Sequence, residues 1–162
     1  MISQTASRTA LWLSLGSWVG SWAFFAFVVS RVAFQVLPGD VAGDLAGLLL
    51  GVLNWGGAVL ALIAAAAAWA LDRRGWLVWL PIGLAVLCAA SELFISPAVA
   101  AVRPSTLGAA ATEESSRQFS LVHALSLGTF LAIHVVSIAL VVAHARLDAR
   151  ASAVDHSGAA SR

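Results

Sequence analysis

RQFSLVHALSLGTFLAIHVVSIALVVAH, residues Arg117 to His144, carries no Asp, Glu, Lys or Arg after its first residue, and its reading decides the fold. A run this long and apolar exceeds the roughly 20 residues that a helix needs to cross a bilayer. Within it stand His123 and His134, eleven residues apart. At about 100° per residue that separation is three turns plus about 20°, so a helix carries both rings on one face, about 16 Å apart. Ionisable groups inside a membrane span are costly and usually face a bundle interior, which makes them default candidates for function.

Three further blocks of the same character precede it. They run from Ala10 to Leu37, from Val41 to Leu71 and from Trp76 to Val102, and the last block extends to Ala145. Pro38-Gly39-Asp40, Asp72-Arg73-Arg74-Gly75 and Arg103-Pro104 punctuate them. Helices satisfy their own backbone hydrogen bonds without water, so an all-α fold is predicted, a polytopic antiparallel bundle of four transmembrane helices. The chain is 60% hydrophobic and 10% charged, with a mean hydropathy of +0.92, which lies outside the range of soluble domains. The first block is too long and too rich in Trp and Phe for a cleaved leader, and reads as a retained span. One transmembrane domain over 10–146 is expected, flanked by a short N-terminus, 1–9, and a disordered tail, 147–162. The segment from Pro104 to Ser116 reads as an exposed loop.

Orientation follows from arginine. Arg8, Arg73, Arg74, Arg146 and Arg150 adjoin one side, while Arg103 and Arg117 adjoin the other, with Arg31 inside the first span. The positive-inside rule places both termini in the cytoplasm. A chain with arginine as its sole Lys/Arg-type cation and rich in Ala and Gly points to a GC-rich bacterium, and so to a multi-pass protein of the bacterial inner membrane. The net charge of +1 offers no surface for nucleic acid; the expected partner is the lipid bilayer. Cys88 is the lone cysteine, which excludes an intrachain disulfide or CxxC motif.

Small residues suggest how the helices pack. Gly16 and Gly20, and then Gly43, Gly47 and Gly51, repeat every four residues and predict flat faces on the first two helices. Close contact between those two helices is the expected use, with a homodimer seam as the alternative. Trp12, Trp76 and Trp79 sit where indoles anchor at a membrane interface.

Polar residues within the spans carry any chemistry. Cys88, Glu92 and Ser96 share a face of the third span, and Glu92 is the most expensive residue in the chain. Glu92 and His123 both sit at about 10 Å depth on antiparallel neighbours, so a Glu92–His123 pair is predicted, sharing protonation. Phe119, Ser126, Phe130, His134 and Ser137 continue the fourth-span stripe, and Asn54 is a further interior candidate. Each has a plainer use: Glu92 can fix helix register, Asn54 and His134 can act as interhelical hydrogen-bonding groups, and Arg31 can snorkel to headgroups.

Trp18-x-Gly20, Phe24-Phe25-x-Phe27-Val28-Val29, Phe34-x-x-Leu37-Pro38 and Ala42-Gly43, together with Phe119-x-x-x-His123-x-x-Ser126 and Pro97 followed by Arg103, carry a resemblance. Over about Leu11 to Leu140 the chain resembles a bacterial four-helix membrane family, domain of unknown function 4149, which is similar to the animal transmembrane protein 205. Arg31 and Phe130 depart from that pattern, standing where proline and asparagine are common. The resemblance implies four membrane helices with His123 and Ser126 as signature positions, and hints at transport or trafficking without an established reaction.

Three functions are compatible with this reading. The first is a transport-related or proton-handling protein working through the Glu92–His123 pair, with Ser126 and Asn54 linking it to His134. The second is a structural or assembly subunit of a larger membrane complex, docked by its glycine faces. The third, a haem or copper protein, fits poorly, because His123 and His134 share one helix three turns apart and Met1 and Cys88 are the chain's sole methionine and cysteine. No nucleophile–base pair, metal-ligand cluster or phosphate loop is legible, so no enzyme, cofactor or metal is expected. Purified protein should therefore show neither a Soret band nor stoichiometric metal; either signal would establish the third reading.

Overall fold

The computed structural model describes residues 3–103 and 112–160, and within them the chain is all-helical. Helix α1 spans Gln4–Val36, α2 Gly39–Ala70, α3 Trp76–Val102 and α4 Glu113–Ala160. All four are long and apolar enough to cross a membrane.

Local chemistry sets the ends. Ser3 caps α1, its hydroxyl accepting from the Ala6 N–H at 3.1 Å, so the helix starts before the apolar block at Ala10. Leu37 is extended (φ −106°, ψ 153°) ahead of Pro38, as a residue before proline must be. The α2–α3 connection turns on Asp72 (φ 57°) and Gly75 (φ 66°), both left-handed. Thr112 Oγ1 accepts from the Ser115 N–H at 3.2 Å, and Glu113 and Glu114 occupy the first turn of α4, where acids suit the helix dipole. Of the expected loop from Pro104 to Ser116, residues 104–111 lie outside the described residues, and α4 already contains Glu113 to Ser116.

The expected disordered tail needs correction, since α4 continues through it to Ala160. Its alanines favour helix, and Asp148 is tied to the bundle by Trp12 Nε1 at 3.1 Å and by Arg73 at 2.5 Å.

The helices meet in chain order around a ring. α2 lies against α1 and α3, and α4 closes onto α1 and α3, so α2 and α4 stand diagonally opposed. Leu11, Leu15, Trp18 and Trp22 of α1 meet a face of α2 made of Ala58, Ala61, Ala64 and Ala68, with Leu84, Ala85 and Cys88 of α3 and Ile133 and Leu140 of α4 completing the core. Large apolar side chains such as Phe27, Leu48 and Phe94 point outward and are more than 70% exposed. That is the surface of a protein solvated by lipid.

Two π-helical segments interrupt the regular turns, Phe25–Val29 in α1 and Ser91–Ile95 in α3. The second precedes Pro97, which has no N–H to give the carbonyl four residues back and crowds it sterically.

The expected contact between glycine faces of α1 and α2 does not form. Gly16, Gly20 and Gly43 have nothing within 4 Å of where a Cβ would lie, and Gly16 and Gly20 are on the exposed side of α1. The side of α1 that faces α2 carries indoles instead, and these need a small partner. Gly57 supplies it: a Cβ there would lie 2.8 Å from Trp18 Nε1, 3.4 Å from Trp22 Nε1 and 3.5 Å from Cys88 Sγ. Gly57→Val should therefore destabilise the detergent-solubilised protein by about 1–3 kcal/mol through overpacking. Gly16→Ala should be neutral or stabilising by up to about 1 kcal/mol. Thermal unfolding of the two variants side by side checks this, and equal midpoints would contradict the notch.

Candidate functional site

The carboxylate of α3, Glu92, is half-buried inside the π-helical segment. Asn54 Nδ2 of α2 donates to its Oε2 at 3.1 Å, and Ser96 Oγ donates to the same oxygen at 2.9 Å. Asn54 is 4% exposed. Gly51 makes the approach possible, because a Cβ there would stand 3.0 Å from Glu92 Oε1. About one turn further along α2 the same device recurs: a Cβ at Gly47 would stand 2.6 Å from an Nη of Arg103, whose guanidinium pairs with Asp44 at 2.6 Å. Glycines spaced by four thus form a groove on α2 that receives polar side chains of α3 in place of a neighbouring backbone.

Asn54 and Ser96, the partners of Glu92, together with Ser91 and Ser126 line a small cavity that is closed by Trp22, Leu50, Phe130 and Ile133. Its volume, about 10 Å³ for the centre of a water molecule, is enough for about one water and too small for an organic solute or haem. Four polar side chains on three helices surround that space, which suits a hydrogen-bonded water.

The structure unites Glu92, Asn54 and Ser126 around one site and leaves both histidines out of it. The predicted Glu92–His123 pair is corrected: His123 is exposed and stacked on Phe119, ring centroids 5.3 Å apart. His134 stacks on Phe130 at 6.3 Å, and its Nδ1 is buried without a partner among the described residues. Helix phase is the reason. The buried line of α4 passes through Ile133, Ser137, Leu140 and His144, and His123 and His134 lie about 80–100° to one side of Ile133. They share a face, as their spacing dictates, but it is the flank. Equal depth alone cannot pair them with α3.

A second polar cluster, at the opposite end of the bundle, was not anticipated. Arg73 donates to His144 Nδ1 and pairs with Asp148 at 2.5 Å, and Trp12 Nε1 donates to the other Asp148 oxygen at 3.1 Å. His144 is fully buried. Burial pushes the Arg73 guanidinium below its ordinary range, Asp148 restores it, and the like charge of Arg8 opposes it again. The signal was present in the spacing: His144 follows Ser126 by eighteen residues, five full turns, with Asp148 a further turn on. Reading His144 as the edge of an apolar block hid that phase.

Hydrogen bonding, proton exchange and electrostatic binding are the chemistry these two clusters can perform. Among the described residues no three His, Cys, Asp or Glu side chains converge as metal ligands. No curated protein and no solved structure matches the chain. One family model does, over residues 13–106, which takes in Asn54, Glu92, Ser96, Arg103 and the glycine groove of α2 and stops short of His123 and Ser126. With more than half its length matched, the chain belongs to the family described as Domain of unknown function (DUF4149).

Proposed function

We propose that this protein is a transport-related, proton-handling membrane protein in which Glu92 binds and releases the proton. The observation that carries the reading is a carboxylate placed among apolar helices, with two donors fixed on one oxygen, both of which also line a water-sized cavity. A charge in a membrane span is costly, and such residues mark ion and proton pathways. Asn54 and Ser96 hold the carboxylate in place and link it to the cavity, the cavity supplies a water to pass the proton, and the Asp44–Arg103 pair at the neighbouring end supplies a polar exit. A π-helical segment at this position agrees with the habit of such segments to occur at functional sites. The protein acts without an enzymatic reaction or cofactor in this reading. The arginine bias orients it with both termini in the cytoplasm and Glu92 in the outer half of a bacterial inner membrane.

A second reading, a subunit of a larger membrane assembly, is favoured by one observation. The Gly16 and Gly20 side of α1 is open, with nothing within 4 Å of either position, and small residues let another helix approach closely.

Infrared difference spectra between acid and alkaline buffer, taken on the protein in liposomes, separate the two. The proton-handling reading expects a carboxyl C=O band that disappears in Glu92→Gln and persists in Asp44→Asn, with the Glu92→Gln protein still folded. An unchanged band in Glu92→Gln would overturn it, and a fixed partner co-purifying through Gly16 and Gly20 would favour the assembly reading. Asn54→Ala, which takes one donor from Glu92, should lower stability by about 0.5–2 kcal/mol.

A further inference from the structure

A second, much larger cavity lies at the other end of the bundle from Glu92. It measures about 400 Å³ and is walled by Gln4 and Arg8 of α1, by Leu71, Asp72, Arg73 and Arg74 of the turn, by Leu77 of α3, and by Leu147, Asp148 and Ala151 of α4. That volume is in the range of small-molecule sites.

Its charges do not balance. Arg74 pairs with Asp72, and Arg73 pairs with Asp148. Arg8 makes no ion pair with any described residue, and its charge acts on Arg73 as repulsion. Arg8 on α1 and Arg73 on the turn thus line one cavity in which the carboxylates of the described lining, Asp72 and Asp148, are already engaged, and an anion between the two guanidinium groups would relieve the repulsion. A phosphate suits the role, because guanidinium forks match its oxygens in geometry and charge.

The surroundings indicate where such a phosphate comes from. Trp69 and Trp76, on either side of the turn that forms the wall, and Trp79 one helical turn on are all exposed, as indoles are at headgroup level. The Arg74 guanidinium lies over the Trp69 ring, 5.3 Å from its centroid. Leu71, Leu77 and Leu147 give the cavity an apolar side next to its arginines. A soluble phosphate has no use for such a side, whereas a phospholipid places its headgroup and glycerol in that order.

We propose that this cavity binds the phosphate of an anionic phospholipid headgroup, with Arg8 as its main counter-charge and Leu71, Leu77 and Leu147 receiving the glycerol and the upper acyl chain. Basic pockets between membrane helices recognise anionic headgroups by this combination. The assignment holds whichever way the bundle crosses the membrane and is independent of Glu92.

The test uses the full chain in neutral detergent, titrated with dihexanoyl phosphatidylglycerol, dihexanoyl phosphatidylcholine or sodium phosphate while thermal unfolding is followed. Saturable stabilisation by the phosphatidylglycerol alone is expected. Arg8→Gln should weaken its apparent affinity about fivefold, the weight of one basic side chain near an anionic surface, and Arg8→Glu should abolish the response. Both variants should fold, since Arg8 is exposed and makes no ion pair among the described residues, and their unliganded midpoints check it. Arg117→Gln, at the far end, should respond as the parent does. Equal stabilisation by sodium phosphate would overturn the lipid assignment in favour of a soluble phosphate, equal stabilisation by phosphatidylcholine would show that charge is not recognised, and an undiminished response in Arg8→Glu would overturn the site.

Discussion

The contacts of α2 with Glu92, Arg103 and the core indoles depend on small residues along that helix. Helices in lipid gain little from hydrophobic exclusion, because the surrounding tails are as apolar as leucine; close packing and hydrogen bonds hold them together. α2 meets that constraint with Gly47, Gly51 and Gly57 and the alanines that follow. Into this relief fit the Arg103 guanidinium, the Glu92 carboxylate and the Trp18 and Trp22 indoles in succession. A larger residue at Gly57 would press on the buried Trp18 and Trp22 indoles, and at Gly47 or Gly51 it would displace the half-buried ends of Arg103 or Glu92. Small residues here create depth for side chains rather than contact between backbones, and for that reason Gly16 and Gly20 have no counterpart across the α1–α2 contact.

The two polar clusters differ in kind. Around Glu92 the donors are neutral, both of them also line a small cavity, and α4 contributes Ser126, Phe130 and Ile133 to that lining, only the first of them polar. Around Arg73 the groups are charged and tied directly to one another across α1, the α2–α3 turn and α4. The bundle is thus clamped by ionic contacts between three elements at the end that bears both described termini. Asp148 does much of the clamping, and it lies in a stretch whose composition alone resembles a tail. A carboxylate bonded to a buried arginine and an indole orders the helix on which it stands.

Architecture was legible in the chain before any coordinates. Apolar blocks longer than a bilayer crossing, separated by Pro, Gly and charged residues, dictate four membrane helices, since no other element satisfies its backbone in lipid. Glu92, Asn54 and Ser126 could be named as interior candidates because each is polar within a block that excludes polarity. Partners were another matter. Spacing defines which residues share a face of one helix, and so it joined His123 to His134 correctly; it says nothing about the rotation of that helix toward its neighbours. A rotation of some 80° separates an interior pair from two rings on a flank.

What the sequence by itself determined is therefore the set of helices, their ends to within a turn or two except at the C-terminal end of α4, which runs on through the expected tail to Ala160, and the residues too polar to be idle in lipid. Tertiary structure alone decided that Glu92 answers to Asn54 and Ser96, that the α2 glycines receive side chains, and that Arg73, His144, Asp148 and Trp12 form a second centre. Depth and periodicity are properties of one helix, written in its own residues. Azimuth is a property of the packed bundle, set by which side chains fill which recesses, and it exists only once all four helices are in place.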